Sequence, residues 1–279
     1  MTGHKESKMK IKEIAVKTCM TKSKLSDYVI NPYTGCSHGC KYCYADFIKR
    51  FQNIPDKWGE FVFAKTNCPE LLEKEIEKNR PGQIFMSSVC DCYMPEEENF
   101  KLTRKILEVF SKSGLKAKFE IEILTKSALV RRDFDLLKEL DIELGMSVNQ
   151  LDEEVARIIE PLASSPGERL ETLKEAKAKG IKTFGFISPV LPGLCNLEEV
   201  FSALKEAGAG YVWVELFNMR GSAIDKMLPV YRKYFPDKLA EFEWARANQK
   251  EWHDKARKEA GELENKFRLN IRDVVVHGE

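Results

Sequence analysis

The sequence predicts an α/β fold, a partial (β/α)6 barrel of the TIM type with a mainly parallel sheet, followed by a helical C-terminal extension. Three observations carry this. Six short β-branched runs recur along the chain, at 28–31, 83–88, 120–125, 142–148, 182–188 and 211–217. Between them lie segments of helical periodicity, the alternation expected of a parallel βα array. Right-handed crossovers place those helices on the outer face, so six such strands give a twisted sheet or an incomplete barrel.

The elements follow in order. The first 24 residues hold seven lysines and two glutamates, with short apolar insertions at Ile11, Ile14 and Val16, and read as an edge strand or an ordered lead-in. Pro69 falls at a first helical position ahead of Leu71, Leu72 and Ile76, where its missing N–H costs nothing. Asn99 precedes Leu102, Ile106, Val109 and Phe110 at helical spacing, and Gly114 supplies a left-handed stop. A stripe through Leu170, Leu173 and Ala176 ends at Gly180, and Asn196 with Glu199 matches a capping box. Residues 238–266 are highly charged and read as one or two helices over the domain, with Phe242, Trp244 and Trp252 packed inward. Residues 274–276 suit a final strand. The organisation expected is a lysine-rich lead-in (1–24), a barrel domain (25–220) and a charged extension (221–279).

Composition narrows the function classes. With 43% hydrophobic and 32% charged residues over 279 positions, the chain is a globular protein with a sizeable core. Its 45 basic and 44 acidic side chains leave +1, which excludes a whole-chain positive field; nucleic acid is not favoured, although a local basic patch stays open. No run approaches 18 apolar residues, and Met1 opens a polar segment, so a cytoplasmic chain without a membrane partner is expected. In such a chain eight cysteines suggest metal or redox chemistry more than a disulfide framework.

That chemistry concentrates in NPYTGCSHGCKYCYADF, residues 31–47. Cys36, Cys40 and Cys43 follow the first strand, at the carboxyl end of the sheet where α/β proteins form ligand sites. Gly35 and Gly39 allow the turn that brings three thiolates together. Three thiolates can hold three irons of a [4Fe–4S] cluster and leave the fourth open to a small molecule. The alternative is a zinc site completed by His38 or a remote cysteine, in a zinc-stabilised non-enzymatic binding protein; against it, no second CxxC follows downstream. Beyond the second strand, Asp91, Glu96, Glu97 and Glu98 predict an acidic mouth, suited to a metal ion or a cationic substrate rather than to phosphates. Glu215, Asn218 and Arg220 form another polar group after the sixth strand, with an internal Glu215–Arg220 pair as the structural alternative.

CxxxCxxC with Tyr42 before the third cysteine, placed after strand one of a βα array, resembles the signature of the radical S-adenosylmethionine (SAM) enzymes. The resemblance implies a [4Fe–4S] cluster, S-adenosylmethionine on its open iron, reductive cleavage to a 5′-deoxyadenosyl radical, and hydrogen abstraction from an unidentified substrate. It also implies a flavodoxin- or ferredoxin-like electron donor, which the lysine-rich N-terminus could contact. Within that family the chain is most similar to the spore photoproduct lyase-like branch, through NPYxGCxHGCxYCYA at 31–45, Ser88, Lys126, Ser147 and the Pro192–Gly193 turn. This implies that Ser88, Lys126 and Ser147 bind S-adenosylmethionine, with Tyr42 and Tyr44 beside the cluster. Ser87 is the neighbouring alternative to Ser88. Arg169, at the start of the helix after strand four, is a further candidate partner for the cofactor carboxylate.

One position departs from that branch. Two residues before the strand-two serine the branch carries a cysteine that returns a hydrogen atom to the substrate radical, and this chain carries Met86. Cys90 and Cys92 follow the same strand and are the candidate catalytic thiols, giving the alternative of a DNA-lesion repair lyase with a displaced cysteine donor. They also suit a metal-binding pair, an auxiliary metal site together with Cys195, or ordinary loop thiols. Cys68 is a weaker candidate, and Cys19 lies outside the strand-end pattern.

Overall fold

The computed structural model describes residues 9–112, 118–220 and 222–276; the helix stop expected at Gly114 lies outside the described residues. Eleven strands are present among them: β1 (Lys10–Ile14), β2 (Met20–Lys22), β3 (Tyr28–Ile30), β4 (Tyr33–Thr34), β5 (Phe61–Lys65), β6 (Gly82–Met86), β7 (Phe119–Thr125), β8 (Glu143–Ser147), β9 (Lys182–Val190), β10 (Val212–Leu216) and β11 (Ile271–Val275). The six expected strands are β3 and β6 to β10. They lie side by side in chain order and run parallel, with β2 antiparallel at one edge and β11 parallel to β10 at the other. A three-stranded sheet, β1-β5-β4, stands beside them. No helix among the described residues is long and apolar enough to cross a membrane.

Alternation along the strands builds the two faces. In β7, Phe119, Ile121, Ile123 and Thr125 are buried on one side, while Glu120, Glu122 and Leu124 project to the other. Glu120, Glu122, Glu143, Lys182 and Trp213 line a cavity of about 650 Å³ at the amino ends of these strands. Burial, and then the neighbouring Glu143, pushes the Glu122 carboxyl up to about 7. The folded state therefore holds this proton more tightly than the unfolded chain, and ionisation costs stability as pH rises from the ordinary carboxylate range towards 7. Glu122→Gln is expected to raise Tm by roughly 3 °C at pH 8 and to leave it unchanged near pH 4, as read by calorimetry at both values. An equal shift at both pH values would contradict this.

Several helix ends differ from expectation. The first long helix begins at Cys68 with Pro69 as its second residue. Asn99 lies inside a short helix, Glu97–Phe100, which Lys101 closes in a left-handed conformation before Leu102–Lys112 begins. Asn196 caps Leu197–Glu206 by accepting from Glu199 N at 3.3 Å; the full reciprocal box forms instead at Ser165 and Glu168, ahead of Pro166–Ala178. The C-terminal segment forms Ser222–Tyr234, Leu239–Ala247 and Gln249–Phe267 before β11. Phe242 and Trp252 are buried as expected, but Trp244 is exposed.

Cys19 and Cys68 form a disulfide, whereas the cysteine content suggests metal or redox chemistry more than a disulfide framework. Hydrogen bonding explains the approach. Val16 exchanges two backbone bonds with the Asn67 side chain, and Glu75 accepts from the N–H groups of Cys19 and Met20. These contacts dock the segment before β2 on the start of the helix that carries Cys68.

Candidate functional site

The thiol loop leaves β4 through Gly35, whose φ is +88° and where a Cβ would stand 2.3 Å from the Phe61 carbonyl oxygen, so this turn admits only glycine. Cys36 is buried, Cys40 and Cys43 are half-buried, and all three are free. Burial raises each thiol above its ordinary value, Cys40 to about 12. Cys40 and Cys43 further raise Cys36, which places the three in one electrostatic neighbourhood. Lys126 opposes the shift at Cys40 and Cys43. Without a cation these thiols stay protonated; a soft metal group is what converts them to thiolates, and three free thiols in one loop are a fitting donor set. Among the described residues no three His, Cys, Asp or Glu side chains converge closely enough for a single ion.

A buried ionic layer supports the loop. Arg169 (1% exposed) donates to Glu160 at 2.5 Å, to the Ser147 carbonyl at 3.0 Å and to the Ser164 carbonyl at 2.8 Å. The Tyr42 hydroxyl donates to the same Glu160, and Lys126 Nζ stands 5.8 Å from the Tyr42 ring. Burial alone would raise Glu160, but Arg169 and Lys126 outweigh it and hold the carboxyl below its ordinary range. Arg169, expected as a ligand's carboxylate partner, thus has each of its three nitrogens donating within the protein. Its physical task is to fix Tyr42 and the end of β8.

The acidic mouth is likewise resolved into internal contacts. Asp91 accepts from Thr125 Oγ1 (2.7 Å), Tyr93 N (2.9 Å) and Lys126 N (2.8 Å), and lies 3.4 Å from His38 Nδ1. It therefore ties the thiol loop to the ends of β6 and β7. Burial lowers the His38 value, favouring a neutral ring. Fully buried Glu97 accepts from Tyr33 and Arg132, and Glu96 from Ser37. Side chains read as a field for cations are turned inward; Glu98 is left exposed.

After β6, Ser87 adopts φ 78° and Ser88 is held by Asn31, whose Nδ2 donates to Ser88 Oγ at 3.0 Å. Tyr44 donates to the Ser88 carbonyl. Asn31 Oδ1 also accepts from Val89 N at 3.0 Å and faces Cys90 Sγ at 3.6 Å. Burial pushes the Cys90 thiol up to about 12 although Lys65 opposes it. Cys92 is fully buried in the core, as is Met86, so the two candidate thiols differ: Cys90 alone of the pair is partly open. Cys195 lies in the neighbourhood of Tyr231 and Glu259 of the C-terminal helices. Ser147 Oγ donates to the Ser188 carbonyl at 3.3 Å, and the Ser188 hydroxyl donates to Glu215.

Sequence reasoning missed several contributors. Asn31, Glu160 and Lys226 act across long separations; Lys226 donates to the Cys43 carbonyl at 2.5 Å and pairs with Asp46 at 2.9 Å. Asn149 and Gln150, just past β8, are buried with both polar atoms of each amide unpartnered. Such groups cost about 1–3 kcal/mol each unless something pairs with them, which marks them for a ligand or water.

Comparison with known proteins adds independent findings. The family model described as Radical SAM superfamily matches residues 30–207. An uncharacterised protein of Methanocaldococcus jannaschii is 39% identical over 219 residues, 77% of this chain and 81% of the relative. An uncharacterised protein of Acidianus two-tailed virus is 34% identical over 215 residues, 71% and 69% of the respective lengths. Among solved structures, a spore photoproduct lyase mutant with bound AdoMet and dinucleoside spore photoproduct is similar at a TM-score of 0.62 and 17% identity, covering 83% of this chain and 71% of that one. That likeness concerns the fold.

Proposed function

The chain belongs to the radical SAM superfamily, and from that premise we propose that it cleaves S-adenosylmethionine reductively on a [4Fe–4S] cluster held by Cys36, Cys40 and Cys43, to abstract hydrogen from a substrate yet to be identified. Membership overturns the alternative of a non-enzymatic, zinc-stabilised binding protein. The observation that carries the proposal is the set of three free thiols in one loop beside Lys126. When bound, the cluster and cosubstrate supply the one-electron cleavage that yields the 5′-deoxyadenosyl radical.

The remaining work falls to the chain. Lys126 neutralises the cosubstrate carboxylate, and its backbone is set by Asp91. Ser88, fixed by Asn31, and Ser147 supply hydroxyls from two strand ends, with Asn149 and Gln150 as further unpaired donors and acceptors. Tyr42 and Tyr44 wall the site, each pinned through its hydroxyl. The test is anaerobic iron loading, then chromatography with S-adenosylmethionine and dithionite: 5′-deoxyadenosine should accumulate, and its absence from protein with a full cluster would refute the assignment.

Two predictions follow from the side chains. Lys126→Ala should raise the S-adenosylmethionine Kd by about tenfold or more at unchanged iron content, measured by equilibrium dialysis. An unaltered Kd moves Lys126 out of the site. Cys90, partly open where Met86 offers no S–H, is the proposed hydrogen donor. Cys90→Ala should keep 5′-deoxyadenosine formation but alter product distribution or uncouple turnover, whereas Cys92→Ala should only lower stability, by about 1–2 kcal/mol. Wild-type products from Cys90→Ala would exclude this role.

A further inference from the structure

Asn31, just past β3, is the residue on which Ser88, Cys90 and Lys65 meet. Its Nδ2 donates to Ser88 Oγ at 3.0 Å, its Oδ1 faces Cys90 Sγ at 3.6 Å, and its carbonyl accepts from Lys65 Nζ at 2.8 Å. Lys65 ends β5 of the three-stranded sheet and is half-buried; its own N–H donates to the Pro32 carbonyl at 3.0 Å, which fixes the start of the side chain beside Asn31. A cation from the small sheet is thus delivered to the partly open thiol next to the serine proposed for the cosubstrate.

The two groups act on each other. The Lys65 charge opposes the upward shift of Cys90, and the Cys90 thiolate opposes the downward shift of Lys65. Burial wins at both, holding the thiol at about 12 and the ammonium below its ordinary value. With the thiolate the stronger base of the two, an ammonium beside it gives up its proton to the sulfur. The other groups around Cys90 are unsuited to that task. Asp91 already accepts from Thr125, Tyr93 and Lys126, and Tyr33 meets the sulfur through its backbone N–H. The Tyr33 hydroxyl is committed to Glu97 and that of Tyr44 to the Ser88 carbonyl, and burial raises both phenols. Cys36, whose thiol the Cys90 charge also raises, belongs to the proposed ligand set.

We propose that Lys65 is the acid that restores the Cys90 thiol after each hydrogen donation, an inference that rests on Cys90 as the hydrogen donor. Donation breaks the S–H bond, forms a C–H bond on the accepting radical and leaves a thiyl radical on Cys90. To return, the sulfur takes one electron from a low-potential one-electron reductant, which is oxidised, and one proton from Lys65 Nζ. The neutral lysine then regains its proton from water, which its half-buried position admits. Asn31 supplies the geometry and carries no proton.

The experiment needs no substrate. Iron-loaded protein is equilibrated in deuterium oxide and supplied with S-adenosylmethionine and dithionite, and the deuterium content of 5′-deoxyadenosine is followed by mass spectrometry over successive turnovers. Cys90 then carries S–D, and wild type should label the product in every turnover, whereas Cys90→Ala should lose that label. In Lys65→Met the label should be confined to the first equivalent of product and fall about fivefold or more thereafter. Lys65→Arg should do the same, because a guanidinium keeps the charge without releasing a proton. On iron-free protein, alkylation of Cys90 by iodoacetamide at mildly alkaline pH, read by peptide mass, should slow about fivefold in Lys65→Met and stay near wild type in Lys65→Arg. Wild-type labelling of later turnovers in either Lys65 variant would overturn the proposal, as would unchanged alkylation in Lys65→Met. Unlabelled product from wild type, or equal label from Cys90→Ala, would sink the hydrogen-donor reading instead. Absence of 5′-deoxyadenosine would sink the cluster reading, so the three failures are separately recognisable.

Discussion

Alanine at any one of Cys36, Cys40 or Cys43 is expected to lower 5′-deoxyadenosine formation by more than about a hundredfold and to leave iron-loaded protein short of a four-iron cluster. The fold should survive. None of the three thiols is in the disulfide, and Cys40 and Cys43 are only half-buried, so their loss removes little apolar contact. Iron analysis, electron paramagnetic resonance after reduction and far-ultraviolet circular dichroism read the three quantities separately. All three variants must behave alike, because two thiolates cannot keep the fourth iron as the only open one. If one variant loads iron and cleaves normally while another does not, the ligand set has been misassigned and a different side chain holds that iron.

Glu160→Leu carries the largest expected stability effect. It leaves the Arg169 guanidinium, 1% exposed, without its carboxylate and strips Tyr42 of its acceptor. An uncompensated buried charge costs about 3–5 kcal/mol, which lowers Tm by on the order of 10 °C in a chain of this size. The double replacement Glu160→Leu/Arg169→Met should recover much of that loss, since a buried pair exchanged for apolar side chains is often neutral. The sign with pH follows from the depressed Glu160 value. The unfolded chain takes up this proton first, so the stabilisation is complete above the ordinary carboxylate range and is lost as pH falls through the lower, folded value. Melting across pH 3 to 7 should therefore bring wild type and Glu160→Leu together at the acid end. Parallel curves would assign the stability to packing rather than to the ion pair.

The barrel was legible because its signals are local. β7 alternates within seven residues, whereas β8 and β9 are short, almost continuously buried runs, and neither signal needs a distant contact to place the strand. The thiol loop was legible because its spacing and glycines lie within one short segment. What escaped depends on separation in sequence. Lys226 meets Cys43 across 183 positions and Tyr42 meets Glu160 across 118, and neither lysine nor glutamate at those sites differs locally from a solvated helix residue. The acidic mouth was misread for a related reason: composition counts charges, while only the folded chain shows that Asp91 and Glu97 each have several internal donors. Cys19 and Cys68 belong to the same class, brought together by Asn67 and Glu75 rather than by any cysteine pattern.

That crosslink makes residues 19–68 a covalent ring, and Cys36, Cys40 and Cys43 all lie inside it. Closing a loop of 49 residues removes unfolded-state freedom worth about 4 kcal/mol in the chain-entropy treatment. For assembly the ring has a second meaning. A nascent or heat-opened chain keeps the three thiols proposed as cluster ligands on one short tether, so their mutual encounter is a search within a lasso rather than through the whole coil. Reductants strong enough to open the ring during iron loading lengthen that search and release two further thiols that compete for iron. Recovery of the cofactor after unfolding should accordingly depend on the oxidation state of two cysteines that never touch it.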